Sequence, residues 1–413
     1  MKKALGIILV CLLAATVLVA CDKTPSSVSA YKAEGSFTEV KNKLSWEGIN
    51  AIPQKSEDMT HEEMRQMVVD FYLYSKTFAW VAGDNMTYTV KDTVGRNTLQ
   101  KGMVYGGLPY VSLGSGNVYR MMDYLDPEKG VVDVVNAGKV ETLFGNQCSI
   151  SAFWAWGRVM NSAKYCYTYD AVMANGILRV GPYTYDSTWP DFKDGRGTDT
   201  VVKNNGPELM YESYAKTLLG DGLVHYEQSG HIIMITGKTV VVRNNGVIDP
   251  AKSYIVYSDQ TEAWLNEQNE KGDQVNYTAG INRQMTFEKL FEKNYIPFTF
   301  KEFHGEDPVE DTQVEYSHTG KTITKEQLFS SKVTANYSFC DTYVEIYDEK
   351  GNEVYKLAVR ATVPSTYELA YTESGENISV WGSWDNVKSG YTVKIYSQLA
   401  TGERPALWKG TLV

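Results

Sequence analysis

The chain has 413 residues, a net charge of -10 and five cysteines. That length suits two or three domains, and an acidic chain without a basic stripe excludes nucleic acid as the expected partner. So few cysteines exclude a disulfide-stapled scaffold.

The N-terminus opens on Lys2 and Lys3, followed by an unbroken run of apolar and small residues from Ala4 to Ala20. Such a run is short for a membrane span and has the form of a secretory signal. It ends in Leu18-Val19-Ala20-Cys21, which looks like a bacterial lipobox, whose cysteine becomes the lipidated first residue of the mature protein. The expectation is an exported protein tethered by lipid to the extracytoplasmic face of a membrane. Residues 1–21 are then the signal, and residues 22–58, beginning with Thr24-Pro25-Ser26-Ser27, a polar tether.

Thr60-His61-Glu62-Glu63 reads as a capping box, with Met64, Met67, Val68, Phe71 and Tyr72 following at helical spacing. A helix is expected over 60–76. Thr87 to Asp92 and Val104 to Tyr110 read as extended. Phe144-Gly145-Asn146-Gln147 leads into a second helix that starts near Cys148 and runs toward Met160, with Ala152, Ala155, Trp156 and Val159 on one face. Polar stretches at Asp186 to Pro190 and Asp194 to Gly197 suit loops over a cleft. His231 to Thr236 is a nearly continuous apolar run, as in a strand buried on both faces. Thr239 to Arg243 and Ser253 to Ser258 read as further strands, with a tight turn at Asn244-Asn245-Gly246 between them. Helices followed by consecutive strands indicate an α+β class. Beyond Asp311, short alternating runs separated by turns such as Glu349-Lys350-Gly351-Asn352 indicate an all-β sandwich over 311–413.

A thiol attacks well as a thiolate, and helix N-termini and imidazolium groups both favour that form. Cys148 meets the first condition. Among the five histidines, His231 opens a buried strand where its ring can face a cleft. Cys148 has other readings: a small apolar residue entering the core, or a disulfide partner of Cys166. With Cys11 in the signal and Cys21 lipidated, Cys148, Cys166 and Cys340 remain, and an odd number leaves at least one thiol unpaired in a monomer. The chain has no His-Glu-x-x-His, no paired Cys-x-x-Cys, no calcium loop and no phosphate-binding glycine loop, so neither a metal nor a cofactor is expected.

Three segments together resemble the NlpC-like cysteine peptidases of bacterial cell walls: Tyr105-Gly106-Gly107-Leu108-Pro109-Tyr110, Gly145-Asn146-Gln147-Cys148-Ser149, and Gly230-His231-Ile232-Ile233-Met234-Ile235-Thr236-Gly237. The resemblance implies a papain-like catalytic domain over 59–310 and says nothing about the residues that follow, whose alternating runs are expected to form an immunoglobulin-like sandwich. It implies Cys148 as nucleophile, His231 as base, Tyr105 as an oxyanion donor beside the Cys148 backbone N–H, and peptide amides of peptidoglycan as substrate. The family's Asp-Cys-Ser-Gly is Gln147-Cys148-Ser149-Ile150 here. Its third polar residue, which follows the histidine by roughly a dozen positions, falls on Arg243, which cannot orient an imidazolium. Asp259 is the first expectation for that role, with Asn244 and Gln260 as alternatives; Gln147 is an alternative oxyanion donor. Two other functions stay open: a non-catalytic binding lipoprotein that keeps the papain-like shell, and a papain-fold enzyme acting on peptides other than peptidoglycan.

Overall fold

The computed structural model describes residues 43–56, 58–91, 95–112, 114–137, 143–160, 177–185, 197–227, 229–268, 274–305 and 309–413. The expected signal with Cys21, the thiol of Cys166 and nearly all of the loop stretch 186–197 lie outside these residues. Among the described residues, no helix is long and apolar enough to cross a membrane.

Helix α1 (His61–Thr77) starts where the capping box places it. The Thr60 hydroxyl accepts from Glu63 N at 3.2 Å, and the Glu63 carboxylate accepts from Thr60 N at 2.8 Å. These bonds satisfy backbone donors that an α-helix leaves open at its first turn. Met64, Met67, Val68, Phe71 and Tyr72 form its buried stripe. Helix α2 (Val118–Met122) is short, and helix α3 (Cys148–Trp156) is buried along its whole length.

Against these helices lies a ten-stranded sheet. Its strands are β1 (Ala79–Ala82), β2 (Val104–Gly106), β3 (Leu125–Asp126), β4 (Val131–Val132), β5 (Ile177–Arg179), β6 (Gly222–Tyr226), β7 (Gly230–Ile235), β8 (Tyr254–Gln268), β9 (Gln274–Thr286) and β10 (Ile296–Phe300). They lie in the order β3-β4-β1-β2-β9-β8-β7-β6-β10-β5. The join between early and late strands is the parallel pairing of β2 with β9, Tyr105 opposite Asn276.

This architecture corrects the papain-like α+β expectation. Among the described residues the chain is mostly β with few helices, and strands from before and after α3 enter the same sheet. Helical spacing gave α1 and α3 correctly, but strand pairing across long sequence distances leaves no local periodicity to read. The strand expected at Thr239 to Arg243 is likewise reduced to a single bridge between Val240 and Tyr254. The turn after it does form: Arg243–Asn244 pairs with Val247–Ile248, and Asn245 (φ 51°) and Gly246 (φ 85°) take the left-handed conformations of a type I′ turn.

The C-terminal strands form a three-stranded sheet (Val314–Tyr316, Lys332–Ala335, Glu368–Ala370) and a six-stranded sheet built around Phe339–Tyr347. The alternating stretch from Val333 to Phe339, expected as one of the short runs beyond Asp311, is not one strand. The chain leaves the smaller sheet after Ala335 and joins the larger at Phe339. One cluster of buried apolar side chains runs from Leu44 to Leu412, so the ten-stranded sheet and the C-terminal sheets share a core.

Candidate active site

Helix α3 packs against β7, β8 and α1, which brings its N-terminus to the head of β7 and the middle of β8. Gln147 is the N-cap and makes no side-chain capping bond, so Cys148 is the first residue of the helix. The preceding turn is braced from both sides. Asn146 N donates to Pro109 O, Val111 N donates to Asn146 O, and Asn146 Nδ2 donates to Gly116 O at 3.2 Å. Gly114 and Gly116 approach the backbones of Gly145 and Phe144 so closely that a Cβ at either position would collide. The chain therefore enters α3 along one fixed path.

His231 is near the start of β7, directly opposite His225 on β6. Asp259 is on β8, just after a bulge at Ser258. The Ser258 hydroxyl bonds Thr236 at 2.9 Å and accepts from Asn282 N at 2.9 Å, which fixes the bulge. Bulges re-aim the next side chain. Here the result is a 3.0 Å contact between Asp259 Oδ2 and His231 Nε2. Gly280, the cross-strand partner of Asp259, leaves room for the carboxylate; a Cβ there would strike Asp259 Oδ1.

With Nε2 engaged by Asp259, the other ring nitrogen, Nδ1, serves Cys148, to which His231 is hydrogen-bonded. Burial alone pushes the Cys148 thiol up. The His231 charge, its hydrogen bond, and backbone N–H groups of Ile232 and Ser149 outweigh burial and bring the thiol below its ordinary range. Burial alone would lower His231; the Cys148 charge and the Asp259 carboxylate raise it to about 10. Thiolate and imidazolium thus support one another. Cys148 is buried, while a quarter of the His231 side chain (25%) is exposed, so the pair opens to solvent on the histidine side.

The structure therefore brings together Cys148, His231 and Asp259. Asn244 is away from them, in the exposed turn, bonded to Asp249 at 3.0 Å. Gln260 lies deeper, donating to Leu108 O and Thr278 Oγ1. Tyr105 is in β2, its ring against Trp80 and its hydroxyl accepting from Gln100 N at 2.8 Å. Tyr72 and Tyr295 lie close enough to the site for Asp259 and Cys148 to act on both; burial pushes each phenol up and those charges add to it. Among the described residues, no group of His, Cys, Asp and Glu is arranged to hold a metal ion.

Sequence reasoning missed Lys76, which donates to Ser151 Oγ at 2.7 Å and to Gln260 Oε1 at 2.9 Å beneath the site. A signal was present: Val68, Tyr72 and Lys76 recur every fourth residue, so a cation continues the buried stripe of α1. His225, the other histidine of this region, is the cross-strand partner of His231, their ring centroids 6.3 Å apart.

Comparison with family profiles, with curated proteins and with solved structures finds no match to this chain.

Proposed function

We propose that the chain is a cysteine hydrolase that cleaves amide bonds in the peptides of peptidoglycan. The observation that carries this reading is the bonded series from the Cys148 thiol through the His231 ring to Asp259 Oδ2. Such a series activates a nucleophile and keeps its base in one orientation. The substrate class is supported by the sequence resemblance alone.

His231 Nδ1 holds the proton given up by Cys148, and the thiolate attacks the amide carbonyl carbon. The oxyanion that forms faces the α3 N-terminus, where the Cys148 N–H and the half-buried Gln147 amide are the nearby donors. Imidazolium then gives its proton to the leaving nitrogen as the C–N bond breaks. Water adds to the thioester, losing a proton to His231, and the C–S bond breaks to release the carboxylic acid and restore the thiol.

The test is digestion of purified peptidoglycan, followed by mass analysis of the released muropeptides. Product pairs whose masses sum to the parent's plus one water per cleaved amide are expected, and none with Cys148→Ala. An inert wild-type protein removes the substrate assignment, and undiminished release by Cys148→Ala removes the nucleophile.

We propose further that Cys21 carries a lipid anchor. Cys21→Ser is expected to shift the protein from the membrane fraction to the soluble fraction; continued membrane association of that variant removes the anchor.

A further inference from the structure

Lys76 is 1% exposed. Its Nζ is bonded to Ser151 Oγ and Gln260 Oε1 and sits 4.1 Å from the centroid of the Tyr72 ring. All three groups are uncharged. A buried ammonium with only neutral partners is costly, because hydrogen bonds replace part of its hydration but not its counter-charge. The charges that act on it come from other elements: Asp259 on β8 and Cys148 on α3, both favouring the ammonium.

Among the described residues, the site lacks on its buried side a balancing charge other than Lys76; Arg283 of β9 stands beside Asp259 at the half-exposed edge, where both meet the space over Gly280. With Cys148 as thiolate, His231 as imidazolium and Asp259 as carboxylate, these three groups carry one net negative charge. Asp259 Oδ1 is buried with no hydrogen-bond partner among the described residues. His225, opposite His231, does not supply the missing cation, since burial and the neighbouring His231 charge hold it down at about 4.

We propose that Lys76 is a positioning residue of this site, whose ammonium neutralises the Cys148–His231–Asp259 group from below and so favours the thiolate. This role rests on those three residues acting together as proposed above. Burial draws Lys76 down to about 7, against the opposing pull of Asp259 and Cys148. Its charge, and its support for the thiolate, are therefore present below about pH 7 and decline above it. The site becomes responsive to pH near neutrality through a residue that does not touch substrate.

The experiment is the rate of Cys148 carbamidomethylation by iodoacetamide across pH, read by mass spectrometry of the Cys148 peptide. It is run on the mature protein, on Lys76→Met and on His231→Ala. Lys76→Met is expected to move the acid limb of the rate profile upward by about one pH unit, the usual size for losing one nearby opposite charge. A limb that stays in place in Lys76→Met but disappears in His231→Ala overturns the role of Lys76 alone. A wild-type profile like that of a free cysteine, and unchanged by His231→Ala, overturns the underlying site. Should Lys76→Met lack a cooperative melt, wild-type protein labelled with carbon-13 at lysine Cε decides the matter. One lysine is expected to titrate near neutrality and to shift to lower pH once Cys148 is capped, because the coupling is reciprocal. No such lysine, or one indifferent to capping, overturns the proposal.

Discussion

Cys148→Ala and His231→Ala are each expected to lower turnover by about 10⁵-fold or more, with the double variant little worse than either. Residues that act as one unit fail together, because a thiol without its base and a base without its thiol leave the same residual activity. Additive losses would mean that the two side chains work separately and would remove the bonded series as the source of activity. Asp259→Asn should cost less, about 10²- to 10⁴-fold, since it leaves thiol and imidazole in place but weakens the hold on Nε2. It should also lower the alkaline edge of the pH profile. Asp259 is one of the groups that raise His231 to about 10, so its loss lets the imidazolium deprotonate at lower pH. Asn244→Ala, in an exposed turn bonded to Asp249, is expected to change neither turnover nor pH profile. A loss at Asn244 matching that at Asp259 would reverse their assignment.

How much of this was legible in the sequence depended on whether the signal was local. Cys148 could be placed because Gly145-Asn146-Gln147 precedes an apolar helical run, and a helix start is written in its first few residues. His231 could be placed because a histidine heads a strand that is otherwise apolar. Choosing among Asp259, Gln260 and Asn244 was harder. Neighbours on a strand point to opposite faces, and the bulge at Ser258 sets which residue meets the histidine; no residue type in that stretch announces a bulge. The offset that pointed toward Arg243 and Asn244 led instead into a hairpin. Tyr105 was read from its Gly-Gly neighbours, and the structure turns its hydroxyl to Gln100. The fold was least legible. Val104–Gly106 reads as extended, but nothing near it in the sequence points to its partner β9, far along the chain, and Ala79–Ala82, directly after α1, gives no strand signal of its own. Such pairings are decided by tertiary packing and not by propensity.

Arg120→Ala is expected to destabilise the protein by about 3–5 kcal/mol, the usual cost of removing one member of a buried ion pair. Arg120 is fully buried in α2 (0% exposed). Its Nε is 2.9 Å from Asp341 Oδ1, and its guanidinium donates to the carbonyls of Ser115, Cys340 and Ala361. Among the described residues, Asp341 would keep Arg360, at 3.4 Å, as its one ion-pair partner, while Arg360 is closer to Asp123, at 2.7 Å. The buried carbonyls of Cys340 and Ala361 and the part-buried carbonyl of Ser115 would also lose a donor. By contrast, Lys129→Ala breaks an exposed pair with Asp126 and should leave the melt unchanged. Chemical denaturation of both variants checks this, with a lower midpoint and an unaltered slope expected for Arg120→Ala alone. The damage should also reach the thiol. The Ser115 carbonyl that Arg120 holds accepts from Trp154 Nε1 at 3.1 Å, and the adjoining Gly114 and Gly116 pack on the turn that delivers Cys148. Turnover well below the melting transition should therefore fall with Arg120→Ala, which would make the C-terminal sheets a brace for the site. Full activity in a folded Arg120→Ala protein would confine that contact to stability. Arg120→Met with Asp341→Leu separates the two effects, because an apolar pair can restore the melt without restoring the bond to Ser115.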